Sequence, residues 1–232
     1  MTSVLRTFAN FRDVGGLTTA DGRVVRSGVL LRSEAPQPGD ELPTVPASVI
    51  DLRSVKELQR VGPHPLADRA EVHHVPLSVQ LAPERLAGLP TERELAAGYE
   101  KIVRESVDSL VRIVGILAHA PGPILVHCAA GKDRTGIVIG MALRLAGVPR
   151  DQVLADYRRT DDNIEFLLAR LDAAGSRLPP GSQHLLAVDP DALTAGLDAL
   201  ESGAGLRPHL VAHGAPEADL DAVATRLTRP SS

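Results

Sequence analysis

Short apolar runs and longer helical stripes alternate along this chain. Val24-Val25, Val29-Leu30-Leu31, Val49-Ile50-Asp51-Leu52, Val72 to Leu77 and Ile124-Leu125-Val126-His127 are brief runs bounded by Pro, Gly or polar residues, the pattern of strands in a central sheet. Asp21-Gly22 just before the first of them is a turn pair suited to a tight hairpin. Between Thr91 and Ala120 the apolar positions Leu95, Tyr99, Ile102, Val103, Val107, Leu110, Val114 and Leu117 follow a helical spacing, which predicts one long helix or two shorter ones. Thr91 with Glu94 forms a capping box at its start, and Pro121-Gly122-Pro123 separates it from the strand at 124.

From Thr135 to Ala146 the chain is apolar nearly all round, with Gly136 and Gly140 small enough for close packing, and Gly147 then Pro149 stop it. This is the expected buried helix at the centre of the fold. Asp151 to Leu227 reads as several short amphipathic helices interrupted at Pro179-Pro180-Gly181, with Arg229 to Ser232 frayed. Together these elements predict an α/β fold, one compact domain over residues 1–232, with a catalytic core at 7–160 and a helical C-terminal decoration at 161–228.

Composition narrows the function. Hydrophobic residues make up 44% of the 232 and charged residues 23%, enough to build a core. Aromatics are 2% and the formal net charge is -4, so neither stacking platforms nor a global positive field exists for a nucleic-acid partner. No apolar run reaches the roughly 18 residues of a membrane span and no signal-peptide core opens the chain, which predicts a cytoplasmic protein with no stable membrane insertion. The single cysteine, Cys128, excludes an internal disulfide and any cysteine-based metal cluster.

That cysteine lies in Val126-His127-Cys128-Ala129-Ala130-Gly131-Lys132-Asp133-Arg134-Thr135-Gly136, between an apolar strand and a buried helix. A loop entering a helix there points successive backbone N–H groups into one concavity, and the helix dipole adds positive potential. A thiol at the mouth of such an anion cradle feels the same field, which favours the nucleophilic thiolate. Arg134 can bring its planar fork back over the cradle to bind two oxygens of a tetrahedral anion. Gly131 lets the backbone turn, Thr135 is placed to donate its hydroxyl to the cysteine sulfur, and His127 braces the loop rather than acting as a base.

His-Cys-x5-Arg-Thr-Gly after a hydrophobic strand resembles the signature loop of the protein tyrosine phosphatase superfamily. The Gly-Lys-Asp-Arg version, with Asn10-Phe11-Arg12-Asp13-Val14-Gly15-Gly16 and Asp51-Leu52-Arg53-Ser54, is similar to a bacterial branch that includes the mycobacterial tyrosine phosphatase B group. The resemblance implies a central mixed, mostly parallel sheet flanked by helices, with extra C-terminal helices. It implies attack of Cys128 on phosphorus, with Ala129, Ala130, Gly131, Lys132, Asp133, Arg134 and Thr135 holding the phosphoryl group and water later releasing phosphate, with no metal or other cofactor. Substrates would be phosphorylated proteins, phosphotyrosine first, with phosphoserine, phosphothreonine or phosphoinositide as additions, met by a monomeric enzyme.

The general acid is the open position. The upstream stretch Ser78 to Ala97 offers Glu84, Glu92 and Glu94 but no Asp, whereas the resemblance points to Asp133 inside the loop; the alternative for Asp133 is pairing with a neighbouring Arg or capping the helix. Lys132, one of three lysines in the chain, either engages a second phosphate or is simply solvated. Arg12, Asp13, Asp51 and Arg53 are expected to form buried ion pairs that support the loop. In His73-His74 one ring should be exposed and the other should face the core. His209 and His213 have the helical spacing of a metal pair but no third ligand, and Asp161-Asp162 should start a helix. Two other chemistries fit such a loop, a phosphate-recognition module that does not turn over and a thiolate used for arsenate reduction or sulfur transfer. The absence of further cysteines disfavours arsenate reduction.

Overall fold

The computed structural model describes residues 8–78, 91–173 and 187–231. Its main sheet has five strands, β1 (Arg12–Asp13), β3 (Leu30–Ser33), β4 (Ser48–Asp51), β5 (Glu71–His74) and β6 (Ile124–His127), in the order β1-β3-β6-β4-β5. The last four in that order run parallel and β1 is antiparallel to β3, so the sheet is mixed and mostly parallel, as expected. The strand register aligns Ser33, His127, Asp51 and His74 in one row across the carboxyl edge of the parallel strands. In open α/β sheets that edge is where ligands bind.

The 91–120 stripe forms two helices, α2 (Glu92–Glu105) and α3 (Val107–His119), joined at Ser106, and the Thr91–Glu94 capping box is present. Before them, α1 (Val55–Val61) starts with a second capping box, between Ser54 and Glu57. The helix α4 (Asp133–Leu145) is buried on every side from Arg134 to Leu143, since it lies between the sheet and the later helices. The small residues allow this: a Cβ on Gly136 would sit 3.1 Å from the Tyr157 ring, and one on Gly140 3.0 Å from Leu197.

After α4 come α5 (Arg150–Arg158), a 3-10 turn (Arg159–Asn163) that carries Asp161 and Asp162, α6 (Ile164–Ala173), α7 (Pro190–Leu200), α8 (Leu206–Ala212) and α9 (Glu217–Leu227). Leu193, Leu197, Leu210, Leu220 and Val223 from α7 to α9 join the same apolar cluster as Leu30, Ile50, Val126 and Ile139. The opposite sheet face packs Leu31, Val49 and Leu125 against Leu66 and Phe11. Thr228–Arg229 is not frayed: it is a short strand, β7, antiparallel to β2 (Val24–Val25), and Arg23 and Arg26 donate to the Thr228 hydroxyl and carbonyl. His73 and His74 do not split between core and solvent; both are half-buried, because β5 is an edge strand whose His74 ring reaches the Arg53 carbonyl. The Pro179-Pro180-Gly181 interruption and Glu84 lie outside the described residues.

Candidate active site

β6 ends at the fully buried His127 and delivers Cys128, itself 2% exposed, to the carboxyl edge of the sheet. The five residues from Cys128 to Lys132 form a loop whose carbonyls are all held by protein donors. Cys128 O accepts from His127 Nδ1 at 3.0 Å, Ala129 O from the Ala35 amide at 2.9 Å, and Lys132 O from the Gly136 amide at 2.6 Å. The Asn10 amide donates to both Ala130 O and Gly131 O, and Arg32 Nη2 donates to Gly131 O at 2.8 Å. Gly131 takes φ +67°, and a Cβ there would collide with the Ser33 carbonyl, so both conformation and space require glycine. With the carbonyls pulled outward, the loop amides and the amino end of α4 are left to meet an anion. The Thr135 hydroxyl is buried with no hydrogen-bond partner among the described residues, so the expected bond to the Cys128 sulfur is not formed in this structure.

Arg134 is the second residue of α4, and its buried guanidinium reaches Leu52 and Glu57. Nη1 and Nη2 each donate to one oxygen of Glu57 at 2.8 Å, and Nη1 also donates to Leu52 O at 3.3 Å. Burial opposes the charge on Arg134, but the Glu57 hydrogen bonds and the attraction of Cys128 and Glu57 outweigh it and raise its pKa. Burial likewise opposes ionisation of Glu57, yet Arg134 and Ser54 pull its pKa down to about 2. Glu57 therefore serves two elements: it accepts from the Ser54 amide at 2.7 Å to close the cap of α1 and holds the arginine of α4.

Under the loop lie the support residues. Asp51 accepts two-pronged contacts from Arg53, and despite burial the nearby His127 and Arg53 hold its carboxyl well below the usual range. Asp156 of α5 bridges Arg12 at 2.7 Å and Arg32 at 2.6 Å, with the first arginine also bonded to Asn10. Burial and the neighbouring Arg32 lower Arg12 to about 10. Arg12 thus reaches the loop through Asn10 and Asp156, while Asp13 accepts from the amides of Gly15 and Gly28 and braces the turns beside β1 and β3.

His64, from the turn after α1, closes this layer. The Leu66 amide donates to His64 Nδ1 at 3.1 Å, so the neutral ring carries its proton on Nε2. His127 must carry its proton on Nδ1 to donate to the Cys128 carbonyl, and its Nε2 accepts from His64 Nε2 at 3.0 Å. Burial and the neighbouring ring hold His64 near a pKa of about 3, and burial lowers His127, so both rings are neutral at pH 7. Asp51, His64 and His127 have the composition of a metal ligand set. A metal on both Nε2 atoms would require the proton of His64 on Nδ1, where the Leu66 amide already donates. The tautomers instead make a directed hydrogen-bond chain ending on the Cys128 carbonyl. His209 and His213, far along the chain on α8 and at its end, stack on one another with ring centroids 4.6 Å apart.

Lys132 is buried rather than solvated; Nζ donates to Ala187 O at 3.0 Å and lies 3.2 Å from Asp133 Oδ1. Asp133 opens α4 and is not paired with a neighbouring arginine. Its Oδ1 accepts a hydrogen bond from the Tyr99 hydroxyl, which lies 2.6 Å from the hydroxyl of Tyr157. His64, Arg32, Asp156 and the two tyrosines complete the site without any contiguous sequence signal, joined by Asn10, the first residue of the Asn10-to-Gly16 stretch. For Glu57 a trace exists in the Ser54-x-x-Glu57 capping pattern directly after Asp51-Leu52-Arg53.

Among known proteins, the tyrosine phosphatase family model matches residues 4–229. The triple specificity protein phosphatase PtpB of Mycobacterium tuberculosis is 31% identical over 194 residues, 70% of this chain and 70% of that protein. A Cupriavidus necator protein whose name places it among the tyrosine-protein phosphatases is 32% identical over 219 residues, 86% of this chain and 78% of its own. A tyrosine-protein phosphatase of Nostoc commune is 52% identical over 42 residues, 18% of this chain and 14% of that one.

Proposed function

The chain belongs to the tyrosine phosphatase family, and we propose that it hydrolyses phosphomonoesters in two displacements through a phosphocysteine. The observation that carries this reading is the loop whose five carbonyls are all tied to protein donors, which leaves its amides to meet an anion at Cys128. Cys128 Sγ attacks phosphorus, the bond to the ester oxygen breaks, and water then attacks the phosphocysteine to release phosphate and restore the thiolate. Three of the five Arg134 N–H donors are engaged by Glu57 and Leu52. This leaves Nε–H and one Nη2–H, which share one edge of the guanidinium and suit two equatorial phosphoryl oxygens. Asp133, on the first turn of α4 with Oδ2 uncommitted among the described residues, protonates the departing oxygen.

Phosphotyrosine is the proposed main substrate, with phosphoserine, phosphothreonine and phosphoinositides as further ones. PtpB carries triple specificity in its name, which supports that breadth. Hydrolysis of p-nitrophenyl phosphate without added metal tests the proposal, with acid quench of a labelled phosphoenzyme. Turnover and label should both disappear in Cys128→Ser. A wild type that binds a phosphotyrosine peptide without turning it over would overturn catalysis in favour of a recognition module. Peptides and phosphoinositide vesicles assayed side by side settle the breadth.

A further inference from the structure

The chain contains two tyrosines, and the fold lines them up in series on one carboxylate, Tyr157 on Tyr99 and Tyr99 on Asp133. Tyr99 comes from the third turn of α2 and Tyr157 from the end of α5, each 1% exposed, and their hydroxyls meet behind the first turn of α4. The Tyr99 hydrogen is spent on Asp133 Oδ1, so Tyr157 must be the donor in the contact between the two hydroxyls. Burial, then the charge of Asp133, raises both phenols far above their ordinary range, so they remain protonated donors. Lys132 Nζ lies 3.2 Å from the same oxygen. Oδ1 is therefore held from two sides, and Oδ2 is the oxygen left to carry and release a proton. The glycine after Arg134-Thr135 belongs to this arrangement, because a Cβ on Gly136 would press on the Tyr157 ring at 3.1 Å.

We infer that Tyr99, with Tyr157 behind it, is a positioning residue that steadies the Asp133 carboxylate and decides which carboxyl oxygen faces the leaving group. The inference rests on the reading of Asp133 as general acid. When Oδ2–H passes its proton to the ester oxygen, the new carboxylate keeps the Tyr99 hydrogen bond on Oδ1, and Tyr157 polarises that donor. Removing the Tyr99 hydroxyl takes a hydrogen-bond donor from the carboxylate that remains after the proton has left.

Phenyl phosphate, a poor leaving group, gives the readout. In Tyr99→Phe the basic limb of kcat should move up by about one pH unit, the size of a lost hydrogen bond to a charged acceptor, and in Tyr157→Phe it should move the same way by less. A merely structural loss would lower kcat and melting temperature and leave the limb in place. In an Asp133→Asn background Tyr99→Phe should have no further effect on the profile. Replacing tyrosine biosynthetically by 3-fluorotyrosine labels the two hydroxyls alone, and both fluorine resonances should follow one carboxyl titration that vanishes in Asp133→Asn. A limb abolished by Asp133→Asn but unmoved by Tyr99→Phe overturns the relay and leaves the acid standing. A limb that survives Asp133→Asn overturns the acid reading, and the relay with it. Fluorine signals indifferent to Asp133 overturn the contact itself.

Discussion

Glu57 shows how much of this site depends on a residue outside the Cys128 loop. Its carboxylate holds the Nη1 and Nη2 of Arg134 at 2.8 Å, which fixes the plane of the guanidinium and the edge it turns toward the loop. Glu57→Gln keeps the shape but loses one charged acceptor, so the fork should swing more freely. We expect kcat/KM for p-nitrophenyl phosphate to fall about ten-fold, the equivalent of roughly 1.4 kcal/mol, mostly through KM. An unchanged KM would show that the amides alone position the phosphoryl group. Gly131 is constrained differently, by a φ of +67° and by the Ser33 carbonyl against which a side chain would press. Gly131→Ala should cost at least about 2 kcal/mol in urea unfolding, because left-handed strain and the collision add.

At the scale of elements, α1 and α4 are joined through one carboxylate. Ser54→Ala removes the cap of α1, which should cost about 1 kcal/mol of stability by urea unfolding, and should raise KM by less than Glu57→Gln does. A variant that loses stability with KM intact would separate the cap from the clamp. β6 and α4 were legible in the sequence because strand, loop and helix are contiguous there, and apolar periodicity with glycine spacing marks each boundary. β1 and β7 were not, since each is two residues long, Arg12–Asp13 and Thr228–Arg229, and neither has an apolar pattern to betray it. The partners of the loop were hidden for another reason: Asn10 lies 120 residues from Ala130 and Glu57 lies 77 from Arg134, distances that only the strand order β1-β3-β6-β4-β5 closes. Of the two readings of Lys132, solvation fails because the carbonyl that takes its Nζ hydrogen bond, Ala187 O, lies 55 residues away in the chain.

Over the whole molecule, the buried ionisable groups set how the fold answers acid. Asp51, Glu57 and Asp156 have folded pKa values below their ordinary ones, despite burial, because arginines or His127 hold the charge. Their contribution is complete above the unfolded carboxylate range and is lost as pH falls, for Glu57 from about 4.5 toward about 2. His64 and His127 also titrate below the ordinary value, chiefly through burial, and an unfolded chain would take up those protons first. Their loss begins near 6.5, before Asp51, Glu57 or Asp156 is protonated, and for His64 it continues toward about 3. Glu34 runs the other way: burial raises it, so its contribution is full at low pH and fades as pH rises through its folded value. It is one carboxyl against three and two imidazoles, so the balance favours neutral pH. We propose that the shared core from Val14 to Leu227 makes unfolding one cooperative transition, whose urea midpoint is flat above pH 7 and declines from about pH 6.5 downward. His64→Gln, which retains a donor toward His127, should flatten the decline between pH 6.5 and 5 while leaving the steeper fall below 4.5. A midpoint that holds steady to pH 5 in the wild type would show that the His64–His127 pair accepts a proton without breaking its hydrogen bond to the loop.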